Sequence, residues 1–329
     1  MIKHNSNTVK RNSKAHSVKT KTRKKLSFLK NTDVNVNGFE INNLHKQNIN
    51  NQIGGRKILE KKLKFVEYIN KKIYGINNID SDLLSETSEF PIGSITKLFT
   101  IVSLLLLHQN KLLNIHDNIG KYITNDYIKN LKIIDIINHK SGLIDIWPGV
   151  VYGSSKIKYE SATQVYETWN NNKLIDEKLK GVYAYSNLGF HILGYLIEQI
   201  TGMKYSDYVK KNILIPLKMD NTGIEDCNIT LYNNKLKKLT KYEKWERTFA
   251  SSSGELKSCI KDLINFTKFI KLLHKNTLDL LEELYIYKEK KDKKISHDGG
   301  ISGGRAKLSI KYDKNYKLKE LYISLNTAI

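Results

Sequence analysis

The sequence predicts an α/β (α+β) fold whose sheet is assembled from both ends of one domain around a helical middle. Three observations carry this. Aromatic and β-branched residues crowd Phe65 to Ile76, apolar residues recur at helical spacing between Ser94 and Ile200, and alternating strand patterns return from His297 onward.

Taken in order, residues 1–32 hold ten Lys or Arg and no acidic residue, with Ser, Thr and Asn between them. Such a stretch buries no apolar face. Asn-rich sequence continues to Gly55, so residues 1–55 are expected to be a disordered basic tail and residues 56–329 the folded domain. The tail lacks the apolar centre of a secretory signal, which favours an intracellular protein. Its acid-poor, Ser-rich character also fits an organelle transit peptide, and Lys19 to Lys25 fits a nuclear address or a weak RNA patch. FVEYINKKIYGI, from Phe65, reads as two strands or one bent strand about a turn at Asn70 to Lys72. Ser94 to Asn110 is helical by its Leu run. Lys129 to Lys140 carries Ile133, Ile134 and Ile137 at helical spacing, with Ser141-Gly142-Leu143 as a glycine stop. Leu188, Ile192, Leu193, Leu196, Ile197 and Ile200 stripe a further helix ended by Gly202. The Lys-rich stretch Tyr287 to Lys294 reads as a linker, and strands follow at Ala306 to Tyr312 and Leu318 to Leu325 around a turn at Asp313 to Asn315.

Composition excludes several function classes. Of 55 cationic side chains against 33 acidic ones, only five are Arg, so the net charge of +22 is mostly Lys and poorly suited to bidentate phosphate or guanine recognition. This argues against nucleic-acid binding beyond the tail. The most apolar run, Leu98 to Leu107, is half of the roughly 20 residues that span a bilayer, so no membrane span is expected. Two cysteines without a CxxC or a Cys/His cluster imply neither a disulfide framework nor a structural zinc.

Three motifs carry chemistry. Ser-x-x-Lys occurs four times, at Ser27, Ser94, Ser155 and Ser258, about as often as chance allows. Only Ser94 follows a Phe-Pro-x-Gly turn and opens an apolar helix. That places its hydroxyl at the positive helix end and Lys97 one turn away on the same face, where a desolvated amine can activate the hydroxyl. The bland alternative is a capping Ser followed by a surface Lys. Tyr185-Ser186-Asn187 precedes the third helix. Ser186 or Asn187 explains itself as a cap, whereas a phenol held near an ammonium is stabilised as phenolate and can take a proton from a serine. His297-Asp298-Gly299-Gly300 borders the C-terminal strands. Gly299 and Gly300 let backbone N–H groups approach a ligand as an oxyanion hole wants, and His297 fits a general acid/base or an anchor for an anionic group. The alternatives there are a glycine turn with a chance His, or a weak metal-ligand pair with Asp298.

In this order the segments resemble the serine beta-lactamase and penicillin-binding-protein superfamily, on the side of class C beta-lactamases, DD-peptidases, esterases and D-aminopeptidases. The resemblance covers roughly residues 60–326. It also includes FPIGSITKLFT around Ser94, IIDIINHKSGL ending at Leu143, YSNLGFHILGYLIE from Tyr185, IPLKMDNTGI from Ile215 and SSSGELKSCIKDLINF from Ser251. It implies an antiparallel sheet flanked by helices with an inserted all-helical lobe. It further implies Ser94 as acylated nucleophile, Lys97 as its activator, Tyr185 as base, Asn187 as donor to substrate and to Lys97, and His297 in the position of the family's Lys or His. Backbone N–H groups of Ser94 and Gly300 would form the oxyanion hole. The implied reaction is hydrolysis of an ester, amide or lactam in a small-molecule or peptide-like substrate, with no cofactor and no metal. Asp298 stands where the family has a small residue, which predicts poor tolerance of anionic substrates. The short C-terminus lacks a covering helix, which predicts an exposed sheet face and a partner or homo-oligomer. Both departures also fit a catalytically silent scaffold.

Overall fold

The computed structural model describes residues 64–69, 72–77, 84–145, 162–163, 174–231, 252–289, 293–301 and 303–326. The expected tail, residues 1–55, lies outside them. Among the described residues the strands are β1 (Lys64–Ile69), β2 (Lys72–Asn77), β3 (Phe90–Pro91), β4 (Ser141–Leu143), β5 (Ile175–Lys180), β6 (Lys257–Ser258), β7 (Tyr287–Glu289), β8 (Lys294–Ile301), β9 (Gly304–Tyr312) and β10 (Leu318–Asn326). Six of them form one antiparallel sheet in the order β2-β1-β10-β9-β8-β7, so the first strands pair with the last, as expected from the two ends of the sequence.

Why this sheet has two unlike faces is visible in β9. Ala306, Leu308, Ile310 and Tyr312 are buried, while Arg305 and Lys307 on either side of Ala306 are exposed. Side chains alternate across a strand, so one face seals the core and the other meets water. The helices are α1 (Thr96–Gln109), α2 (Ile133–Ile137), α3 (Asn187–Thr201), α4 (Tyr205–Val209), α5 (Ile215–Leu217), α6 (Ile260–Phe266) and α7 (Lys275–Asp279); α6 packs on β1 and β10, and the apolar residues of the helices join those of the sheet in a single core. Every residue of α1 from Thr96 to Leu107 is buried, as a helix apolar on all sides requires. Helix α3 starts and stops where its caps stand. Ser186 Oγ accepts the Gly189 N–H at 3.1 Å, and Gly202 ends the helix with φ +66°.

Two expectations are corrected. The helix over Lys129 to Lys140 shrinks to Ile133–Ile137, because the Lys129 and Leu131 carbonyls accept the Gly120 and Ile119 N–H groups and cannot begin a helix. The chain then turns at His139 (φ +56°), while Gly142 lies within β4. The supposed linker Tyr287 to Lys294 contains β7, whose Tyr287 pairs with Ile295 beside buried Ile286 and turns this stretch into an edge strand.

Candidate active site

Ser94 sits in the single tight turn Gly93–Ile95 that leads into α1. This turn is pressed against β8. Gly93 has φ +51°, and a Cβ there would lie 2.5 Å from the Gly300 nitrogen; a Cβ on Gly299 would lie 1.9 Å from the Ile92 carbonyl oxygen. Both positions therefore demand glycine, which brings the Ser94 backbone beside the Gly299-Gly300 segment.

One helical turn on, Lys97 is completely buried. Its Nζ lies 2.9 Å from Ser94 Oγ, 2.7 Å from Asn187 Oδ1 and 2.7 Å from the Ser253 carbonyl oxygen. Burial holds this amine well below its ordinary range, opposed by the Asp145 carboxylate. Tyr185 donates its O–H to Ser94 Oγ at 2.7 Å. Burial pushes this phenol up to about 12, the Ser94 hydrogen bond opposing and Asp145 adding to the rise. The sequence reading expected a phenolate at Tyr185; burial instead favours the neutral phenol, which in this arrangement donates to Ser94.

Asn187 is the first residue of α3, and its polarity is the reverse of the expected one. It accepts from Lys97 through Oδ1, since Lys97 offers N–H groups to it, and donates Nδ2–H to Asp145 Oδ1 at 3.1 Å. The segment from His139 to Asp145 grips the Tyr185-Ser186-Asn187 motif along its length. The Ala184 N–H donates to the His139 carbonyl (2.8 Å), the Ser186 N–H to His139 Nδ1 (3.0 Å), Ser186 Oγ to the Ile144 carbonyl (3.0 Å) and the Asn187 N–H to Asp145 Oδ1 (2.9 Å). The His139 ring also stacks on Tyr185 at 4.5 Å between centroids and meets Phe190 and Tyr285 at 5.2 and 4.6 Å.

His297 lies on the core-facing side of β8. A carbonyl only accepts, so the 2.6 Å contact between His297 Nδ1 and the Asp298 carbonyl oxygen places a proton on Nδ1, while the Tyr285 hydroxyl lies 2.7 Å from Nε2. Tyr285 is itself driven well above its ordinary range by burial, with the Tyr185 and Tyr183 phenols adding to the effect. Asp298 points to the opposite face, where its carboxylate lies 3.7 Å from Lys307 Nζ. The expected repulsion of anionic substrates is thus weakened by strand alternation and a cationic neighbour.

Structure brings Ser94, Lys97, Tyr185 and Asn187 into one hydrogen-bonded group and packs Gly299 and Gly300 beside the Ser94 turn. His297 reaches that group through aromatic neighbours, since its partner Tyr285 packs on His139, which packs on Tyr185. Sequence reasoning missed Asp145, His139, Tyr285 and the buried His191, whose Nε2 lies 3.2 Å from Ser253 Oγ. Of these His139 and His191 stand within the phrases that end at Leu143 and begin at Tyr185, and Asp145 stands just beyond the first, whereas Tyr285 carried no signal. Among the described residues, no group of His, Cys, Asp and Glu gathers with the geometry of a metal site. Nor is any helix there long and apolar enough to cross a membrane.

A family model described as Beta-lactamase matches residues 67–306. The chain belongs to the beta-lactamase family. Penicillin-binding protein 4* of Bacillus subtilis (strain 168) is 28% identical over 149 residues, 43% of this chain and 32% of that protein, so the chain spans about a third of the length of its curated relatives. Among solved structures, a D-stereospecific amidohydrolase from Streptomyces sp. superposes with a TM-score of 0.60 at 17% identity over 81% of this chain and 88% of that one. An octameric penicillin-binding protein homologue from Pyrococcus abyssi gives 0.61 at 18% identity over 81% and 69%. These structures establish the beta-lactamase-like fold, which is shared by serine hydrolases.

Proposed function

We propose that this beta-lactamase-family chain is a metal-independent serine hydrolase of the class C type that cleaves an ester, amide or lactam through an acyl-enzyme on Ser94. The observation that carries the proposal is the placement of Ser94 Oγ between Lys97 Nζ (2.9 Å) and the Tyr185 hydroxyl (2.7 Å). A neutral amine has two N–H bonds and one lone pair. Two of the Lys97 neighbours, the Asn187 and Ser253 carbonyl oxygens, only accept, so they take the N–H bonds and leave the lone pair for the Ser94 proton. Lys97 is then the general base and Tyr185 the donor.

Ser94 Oγ attacks the substrate carbonyl carbon as its proton passes to Lys97. The backbone N–H groups of Ser94 and Gly300 hold the oxyanion, a contribution of about 3 kcal/mol for each such donor. Collapse breaks the bond to the leaving group, which takes the Tyr185 proton, and the phenolate recovers a proton from the Lys97 ammonium. Water then enters by the reverse route and releases the acid. The amidohydrolase and penicillin-binding-protein relatives support amides and lactams beside esters as the substrate classes to try.

A fluorophosphonate or penicillin-type probe followed by peptide mass spectrometry should place the adduct on Ser94. Hydrolysis of a p-nitrophenyl ester should vanish in Ser94→Ala, with a D-amino-acid amide and a lactam as further substrates. An unmodified Ser94 in folded protein would overturn the reading and leave a silent scaffold.

A further inference from the structure

We infer that Asp145 is a positioning residue, which fixes the amide of Asn187 so that its carbonyl, and not its NH2, faces Lys97. The inference rests on the reading of Lys97 as the base of Ser94, and it adds a residue that touches neither the nucleophile nor its base.

An asparagine amide can be turned over at almost no intrinsic cost, because its oxygen and nitrogen ends have the same shape. Which end faces Lys97 is therefore decided by what the other end meets. A carboxylate has no proton to give, so Asp145 Oδ1 accepts from Asn187 twice, from the backbone N–H at 2.9 Å and from Nδ2 at 3.1 Å. Only the amide oxygen is left to face the amine, at 2.7 Å. Turned the other way, the amide would set oxygen against carboxylate and N–H against N–H. It would also claim the Lys97 lone pair that Ser94 needs. The carboxylate thus reaches Ser94 through three steps, Asp145 to Asn187, Asn187 to Lys97 and Lys97 to Ser94.

The backbone around this pair is built to hold it. Ile144 accepts from Ser186 Oγ at 3.0 Å, and His139 accepts at Nδ1 from the Ser186 N–H at 3.0 Å, so Asp145 arrives at Asn187 on a segment already tied to the same motif. A competing account is purely structural. Asp145 accepts an N–H in the first turn of α3, where a carboxylate stabilises a helix by its charge alone. The two accounts separate by experiment.

The test is a double-mutant cycle with Asp145→Ala and Asn187→Ala, read as the second-order rate of Ser94 labelling by a fluorophosphonate. Asp145→Ala should slow labelling on the order of tenfold to a hundredfold in the wild-type background, a loss typical of small misplacements, and change nothing further in Asn187→Ala. A helix-capping role would cost the same factor in both backgrounds, and such a result overturns the inference, as does an unchanged rate in Asp145→Ala.

Charge gives a readout independent of labelling. The groups that face Lys97 are the Tyr185 phenol, whose ring centroid lies 4.9 Å from Nζ, the His191 imidazole and the Asp145 carboxylate, and of these Asp145 alone carries the negative charge that favours the ammonium. Asp145→Asn keeps an acceptor for Asn187 and removes the charge. It should retain most of the labelling rate while the Lys97 signal in carbon-13 lysine spectra titrates at lower pH. An unshifted Lys97 would overturn the inference even in a protein whose Ser94 takes no probe. Absence of labelling with a shifted Lys97 would instead overturn the proposed hydrolase and leave the positioning role standing.

Discussion

His191 shows at the scale of one residue how a buried group next to the base constrains the whole chain. It lies one turn after Asn187 on α3, only 1% exposed, and burial together with the nearby Lys97 lowers its pKa from 6.5 to about 3. The imidazole is therefore neutral in the folded protein but protonates in the unfolded chain below pH 6.5. Stability from this residue is present above the unfolded value and is lost as pH falls toward the folded one, with a slope of about 1.4 kcal/mol per pH unit. Urea unfolding of the wild type and of His191→Gln between pH 7 and pH 4.5 should show the difference between them constant at first, then moving against the wild type with that slope. A difference that stays flat would mean that His191 is charged or exposed. Lys97 obeys the same rule: burial lowers its pKa, which is what the proposed role as a base requires.

At the scale of elements, the site depends on how closely the turn before α1 meets β8. Two glycines make that contact, and neither has room for a methyl group. In Gly299→Ala the new carbon would stand 1.9 Å from the Ile92 oxygen, and in Gly93→Ala it would stand 2.5 Å from the Gly300 nitrogen on a residue with φ +51°. Either substitution must push the Ser94 turn away from Gly300 and open the pair of N–H groups assigned to the oxyanion. Ester hydrolysis should fall at least about a hundredfold, the loss of one such donor. Circular dichroism would keep its native shape, because β8 retains its pairing with β9 from Lys294 to Ile301; unchanged hydrolysis would remove Gly300 from the oxyanion assignment.

These elements also mark what the sequence made legible. Ser94 and Lys97 are three residues apart and share a helix face by periodicity alone, and Ser186 declares itself by capping α3. Gly299 and Gly300 are readable as places of close backbone approach, although what approaches them is not. Asp145 and Asn187 are 42 residues apart, and the sequence between them includes β5, whose return sets their distance. Tyr285 is 12 residues from His297 and meets it only because β7 folds back on β8. A side chain placed by local periodicity is visible in one sequence, while one placed by the return of the chain is not. The base we propose differs from the one the motif implies for a related reason, since burial of the Tyr185 phenol is a property of the packed site and not of the motif.

For the whole molecule, the question is how a sheet that the sequence expected to lie bare on one side is stabilised. Alternation supplies the answer along β9 and β10. Leu308, Ile310, Ile323 and Leu325 are all fully buried on the core side, whereas the other side carries Arg305, Lys307, Ser309, Lys311, Tyr322 and Ser324, of which Ser324 alone is buried. An antiparallel sheet of this kind tolerates water on its polar face without a covering helix, so an exposed face does not by itself demand a partner. The two faces should then respond very differently to truncation. Leu308→Ala removes a fully buried side chain and should destabilise the domain by about 2–5 kcal/mol, read as a lower urea midpoint with an unchanged slope. Lys307→Ala, one residue away, removes a side chain that is 52% exposed and only loosely paired with Asp298 at 3.7 Å, and should change stability by no more than about 0.5 kcal/mol. Equal losses at both positions would show that the polar face is covered in solution, by a second copy or another segment, and light scattering across protein concentration would distinguish those two.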